Sequence, residues 1–241
     1  MRADLFLSEN GYVQSRQRAK DLILGGCVEI DGKVIAKPSL EIGEGDHTVT
    51  VRDALRYVGR GGLKLEAALD AFAIDVSGMR GLDVGASTGG FTDCLLQRGA
   101  DFVFAVDSGS GQLAQRLLED PRVRSMEKMN ARELSLQHLD GAGVDIVVMD
   151  VSFISATYLL PLFPSWMKEG GHAVCLIKPQ VEVGRAMIGK GGIVKDPKAH
   201  RFAVDRVLQA GKEAGLVSRG VIPSPIRGGD GNQEFLVQFT F

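Results

Sequence analysis

From Arg60 to Phe241 short apolar runs alternate with helix-patterned stretches, and nothing else in the sequence limits the fold so strongly. Strand candidates lie at 81–84, 102–106, 144–149, 172–177 and 216–222, with a weaker one at 122–126. Helical stretches at 90–98, 110–119, 155–163 and 197–214 separate them. Parallel neighbours need a crossover long enough for a helix. The alternation therefore predicts an α/β fold, a parallel sheet with helices on both faces. The last run, EFLVQFTF, follows its predecessor by a loop too short for a helical crossover and is expected to pair antiparallel.

Residues 1–48 have a different texture. Leu5, Leu7 and Tyr12 suit a short amphipathic helix ending near Gly11. Ser15 then offers an N-cap to QRAKDLIL, and Gly25-Gly26 stops that second helix. CVEIDGKVI reads as a hairpin turning at Asp31-Gly32. Residues 49–60 read as a bridge between this small module and the larger unit. The division is thus 1–58 and 59–241.

Several classes are disfavoured. The 44% apolar share is enough for a core, so wholesale disorder is excluded. No apolar run reaches the length of a membrane span, and the N-terminus lacks the apolar stretch of a signal peptide. Cys27, Cys94 and Cys175 are odd in number, widely spaced and set among apolar residues. They read as buried thiols of a cytoplasmic protein, and with four scattered histidines no metal site is expected. The net charge of −2 announces no nucleic-acid binder; residues 1–60 hold nine Lys/Arg against nine Asp/Glu.

The strongest chemical signal is Leu82-Asp83-Val84-Gly85-Ala86-Ser87-Thr88-Gly89-Gly90-Phe91, a strand running through a glycine-rich turn into a helix. In a nucleotide-binding sheet the first unit has this form. Asp107 ends the next strand, placed to accept two ribose hydroxyls. Ala86-Ser87-Thr88 interrupts the dinucleotide spacing G-x-G-x-x-G, and no G-K-[ST] loop occurs. An adenosine ligand without a pyrophosphate is preferred, S-adenosylmethionine foremost. Asp150 and Lys178 each close a strand, where the crevice of an open α/β sheet lies. Taken alone, they fit a structural ion pair as well as catalysis. Lys64 and Glu234 alone would pass for a solvated helix face and a strand edge.

In order and context, Lys64, Asp150, Lys178 and Glu234 resemble the Lys-Asp-Lys-Glu tetrad of FtsJ-like RNA ribose 2′-O-methyltransferases. GRGGLKL, LDVGASTGGFTD, MDVSFIS, LIKPQ-x-E and GN-x-E resemble the TlyA branch, often labelled hemolysins. RADLFLSENGYVQSRQRAKDLILGGCVEIDGK resembles an S-four RNA-binding domain. Gly59 departs from the pattern, which usually has Ser there.

The resemblance implies a Rossmann-like class I methyltransferase behind a small RNA-binding module. It also implies methylation of a ribose 2′-hydroxyl, cytidine by the family's usual description, in ribosomal RNA. Lys178 would serve as general base or as orienting cation, Asp150 would fix it, and Glu234 would hold Lys64 and the ribose. Asp83, Gly85, Ser87, Gly89 and Gly90 would line the methionine side of the donor, Asp107 its ribose, and Asn130 its adenine. Asp150 would serve both donor and tetrad. RNA phosphates would meet Arg16, Arg18 and Lys20 in the module, and Arg60, Arg185 and Lys190 near the catalytic end. Rival readings are an RNA-binding protein whose methyltransferase domain no longer acts, a membrane-lytic hemolysin, and a nicotinamide-dependent dehydrogenase.

Overall fold

The computed structural model describes residues 1–52 and 56–241. The first part pairs helices α1 (Ala3–Glu9) and α2 (Arg16–Leu24) over a three-stranded sheet of β1 (Val28–Ile30), β2 (Lys33–Val34) and β3 (Val49–Val51). Ser15 caps α2 as expected, its hydroxyl accepting from the Arg18 amide at 3.1 Å. Asp31 (φ 52°) and Gly32 (φ 73°) are both left-handed, the conformation that joins two strands in a two-residue hairpin. Ala3, Leu7, Leu22, Ile23, Val28 and Ile30 form the module's own apolar core. Two details differ from the sequence reading. The first helix ends at Glu9, and the segment taken as a bridge contains β3, which pairs antiparallel with β1. That pairing covers the free edge of a hairpin too small to hold itself.

The larger part is one seven-stranded sheet in the order β6-β5-β4-β7-β8-β10-β9. Its strands are β4 (Arg80–Val84), β5 (Phe102–Val106), β6 (Val123–Met126), β7 (Val144–Met149), β8 (Met167–Ile177), β9 (Val217–Pro223) and β10 (Phe235–Thr240). The first five are parallel, and β10 runs antiparallel to both neighbours, as the short preceding loop requires. Successive strand residues serve opposite faces. Leu82, Phe104, Val147 and Met149 meet Phe163, Trp166 and the apolar side of α8 (Pro197–Glu213). Val103, Ala105, Ile146 and Val148 meet α3 (Gly61–Ala71) and α4 (Gly90–Gln97) through Leu65, Leu69 and Leu95.

Two helical expectations are corrected. Within 110–119 only α5 (Gln115–Leu118) is helical. Gly111 is left-handed (φ 66°), and Gly109 is held by its amide to Asp107, so the chain crosses the sheet end before it can coil. Within 155–163 the chain makes 3-10 turns, with a short α6 (Phe163–Trp166) after them. Pro161 and Pro164 lack the amide protons that a continuous helix would use.

The two parts meet through residues 56–62. The Val58 amide donates to the buried Asp93 carboxylate on α4 at 2.7 Å, and the Arg18 guanidinium donates to the Val58 carbonyl. Tyr57 is buried against the first turn of α3, where Gly62 leaves room for its ring.

Candidate active site

The sheet order reverses at β4, whose neighbours β5 and β7 are reached by chain leaving in opposite directions. Ligands bind at such a switch point, beyond the carboxyl ends of the strands. Gly85 follows β4 there with φ 87°; a β-carbon on it would come within 2.5 Å of the Asp150 carbonyl oxygen. The glycine thus lets the turn lie against the end of β7, which the Asp150 amide ties to the Val84 carbonyl at 3.0 Å.

A cleft of about 920 Å³ opens at this point. Its walls include Gly85, Ala86, Ser87, Thr88, Gly90 and Phe91 from the turn, together with Lys64, Asp150, Lys178 and Glu234. Four residues scattered over 171 positions of sequence therefore share one wall system. Lys64, in the first turns of α3, meets Glu234 at 2.6 Å, and both side chains are nearly out of solvent, at 9% and 3% exposure. Lys178, just past β8, meets Asp150 at 2.5 Å and donates to the Ser152 hydroxyl at 2.8 Å. Burial opposes ionisation of Asp150, but the charges of Lys178 and then Lys64 outweigh it and hold the carboxyl below its ordinary range. The carboxyl at the end of β7 is thus held ionised beside the lysine at the end of β8.

The residues expected around the donor divide into two groups. Gly85, Ser87, Gly90 and Asp150 stand on the cleft wall; Asp83, Gly89, Asp107 and Asn130 do not. Asp83 is fully buried, and one of its oxygens accepts from the Thr92 amide (2.9 Å) and hydroxyl (2.7 Å). Its other oxygen, Oδ1, is buried without a partner. Burial pushes its carboxyl up to about 7 against the pull of the Thr92 bonds, and the charges of Asp150 and Asp107 add to the rise. Asp107 accepts from the amides of Ser87 and Gly109, each at 2.7 Å, and so ties the glycine turn to the next loop. The side chains of Leu113 and Leu117 pack over Gly89. Asn130 uses its side-chain oxygen to cap a 3-10 turn through the Arg132 amide, the ordinary structural role of such a residue.

The basic residues are also dispersed. Lys20 and Arg60 line the cleft, and Arg60 donates to the Arg227 carbonyl at 3.1 Å. Arg16 is exposed and paired with the buried Asp4 at 2.9 Å, while Arg18 is engaged at the junction of the two parts. Arg185 and Lys190 are exposed on the loop after α7 (Pro179–Glu182).

Sequence reasoning missed four contributors. Ser152 lies inside the quoted MDVSFIS string, and Asn232 inside GN-x-E. Asn232 is buried; it accepts from the Val194 amide and donates to the Gly192 carbonyl, both at 2.9 Å, pinning the basic loop beside Glu234. Gln112 receives the Ser87 hydroxyl at 3.1 Å, and Asp21 of α2 stands on the cleft wall. Neither had a signal: a lone polar residue on a loop or a short helix reads as solvated.

The sheet, its switch-point crevice and the antiparallel β10 define a class I methyltransferase. A solved S-adenosylmethionine dependent methyltransferase from Mesorhizobium loti shares the fold with a TM-score of 0.54 at 16% identity, over 72% of this chain and 95% of that one. More particularly, the chain belongs to the FtsJ-like methyltransferase family, which matches residues 57–241, and an S4 domain matches residues 1–47. The 16S/23S rRNA (cytidine-2'-O)-methyltransferase TlyA of Mycobacterium tuberculosis is 45% identical over 98% of this chain and 88% of its own length. A provisionally named hemolysin from Streptococcus thermophilus superposes with a TM-score of 0.79 at 40% identity, covering 99% of this chain and 87% of that one. Among the described residues no helix is long and apolar enough to cross a membrane. The enzyme is thus a methyltransferase, and its family implies S-adenosylmethionine as the methyl donor. The unpartnered Asp83 oxygen beneath the turn and the carboxylate of Asp107 at the adjacent strand end fit that donor.

Proposed function

We propose that this enzyme methylates a ribose 2′-hydroxyl of ribosomal RNA, at a cytidine, with Lys64, Asp150, Lys178 and Glu234 as its working set. The observation that carries the reading is the convergence of two lysine–carboxylate pairs, 2.6 and 2.5 Å long, on one cleft beside the glycine turn. Alkyl transfer to a hydroxyl needs such a set more than it needs a nucleophilic side chain. When bound, S-adenosylmethionine supplies an already activated methyl group. The protein's task is then to present a weakly acidic hydroxyl in line with it and to accommodate the charge that develops on oxygen.

An ammonium has three donors. Lys178 donates one to Ser152 and is paired by charge with Asp150, which leaves a donor for the ribose oxygen. In this arrangement Lys178 is an orienting cation, and the hydroxyl proton leaves to water or to Asp150 as the new bond forms. Lys64, fixed by Glu234, keeps a second positive charge beside the same oxygen. Exposed Phe153 (102% of its reference area, φ 67°), next to Ser152 at the cleft mouth, offers a ring face to an unstacked base.

The S4 domain, read as residues 1–58 with its linker, and the exposed Arg185 and Lys190 would grip the backbone on either side of that base. Gly85, Ser87, Gly90 and Asp150 would line the donor from the cleft wall, Asp83, Gly89 and Asp107 would support the turn from behind it, Asn130 would keep its capping role, and Arg16, Arg18, Lys20 and Arg60 would complete the RNA face. In this scheme Arg16 and Arg18 act through their present partners as much as through phosphate.

Mapping ribose methylation in ribosomes made with and without the protein tests the substrate. Lys178→Ala should lower turnover by roughly 10²–10³ while donor binding persists. Near-normal turnover in that variant would remove Lys178 from the chemistry.

A further inference from the structure

One acidic side chain in the cleft comes from the other half of the molecule. Asp21 lies on α2 of the S4 domain, is 7% exposed, and faces the space bounded by Gly61, Lys64, Thr88 and Gly90. Among the described residues its side chain accepts one hydrogen bond, a long one, 3.4 Å from the Gln17 amide to Oδ1. Among the described residues no cation stands within ion-pair distance of it. A carboxylate so far out of water and so poorly satisfied is costly. Burial pushes it up to about 6 even with Arg60, Arg18 and Lys64 nearby. Oδ2 points toward the glycine turn: a β-carbon on Gly59 would lie 3.4 Å from it and 2.6 Å from the Thr88 hydroxyl. Where the family pattern has a serine, this chain has no side chain, and the oxygen looks onto the cleft.

The amino-acid end of S-adenosylmethionine carries an ammonium and a carboxylate on one carbon. The wall beside the turn offers the opposite charges, the Asp21 carboxylate and the Arg60 guanidinium. We propose that Asp21, contributed by the S4 domain, holds the α-ammonium of the methyl donor, so that the donor site is completed only by both halves of the chain. The proposal rests on the reading that the donor's amino-acid end lies at residues 85–90. It gives the small domain a task separate from gripping RNA.

The test is calorimetric titration of the full chain and its Asp21→Asn variant with three ligands. S-Adenosylmethionine and S-adenosylhomocysteine carry the ammonium; 5′-methylthioadenosine lacks the whole amino-acid end. Loss of a charged hydrogen bond should weaken the first two about ten- to a hundredfold, leaving methylthioadenosine unchanged. Retained methylthioadenosine binding also shows that the variant is folded; Asp21→Ser gives the same comparison if the asparagine variant does not fold. Equal weakening of all three ligands would make Asp21 a joint between the halves and overturn the proposal, as would no weakening at all. A wild-type chain that binds none of the three would overturn the donor site itself, and this assignment with it.

Discussion

The Lys64–Glu234 pair joins residues 170 positions apart, and its removal separates architecture from chemistry. Both partners are nearly dry, so Glu234→Ala would leave an uncompensated ammonium in the interior, at a cost of about 3–5 kcal/mol. Glu234→Gln keeps the size and one acceptor oxygen; losing the charged character of the bond should cost about 1.5–3 kcal/mol. For a unit of this size each kcal/mol lowers the melting temperature by about 2–4 °C. The glutamine variant should therefore melt about 3–12 °C lower. In Lys64→Met/Glu234→Leu both charges go together, and apolar replacement of a buried pair is often neutral or stabilising. That double variant should recover the melting temperature and stay inactive. The assay is transfer of labelled methyl groups to ribosomal RNA at saturating donor, alongside a thermal melt of each variant. A double variant that melts normally and turns over like the wild type would refute the reasoning, because the pair would then be structural only.

Other consequences are as direct. Asp83 keeps its proton in the folded enzyme up to about 7, whereas the unfolded chain releases it near the ordinary carboxylate value. Its contribution is therefore fully present below that ordinary value and is lost as pH rises toward 7. Asp83→Asn should flatten the dependence of unfolding free energy on pH across that window, and an unchanged slope in denaturant titrations would contradict the assignment. Asn232→Ala leaves the Val194 amide and the Gly192 carbonyl without partners. The variant should show faster hydrogen exchange across residues 184–195 and a raised KM for RNA, with kcat little changed; an unaltered exchange pattern would show that the loop is held elsewhere.

What the sequence made legible follows from range. The parallel order, the glycine turn at Gly85 and the strand-end positions of Asp150 and Lys178 rest on local periodicity and on where strands stop. Ser15 and Asp31-Gly32 likewise act within their own turns. Lys64 and Glu234 had no local mark, and only the family pattern joined them. The errors lie where tertiary contacts overrule propensity. The run 110–119 is rich in helix formers, yet Asp107 and Gly111 hold its first half across the sheet end. The strand β3 was hidden in a bridge because its value lies in completing β1. Asp21 was invisible for the same reason, since its environment is built by residues 59–90 of the other half.

The position of β10 bears on how the enzyme comes into being. Strand β9 leaves the ribosome before β10, yet β10 separates β9 from β8 in the finished sheet. During synthesis β9 has no neighbour to join until the following strand threads into the gap, and Glu234 stands at the leading end of that strand. The Lys64–Glu234 pair is thus withheld from the nascent chain by topology: the counter-charge for Lys64 arrives with the insertion of β10 between β8 and β9.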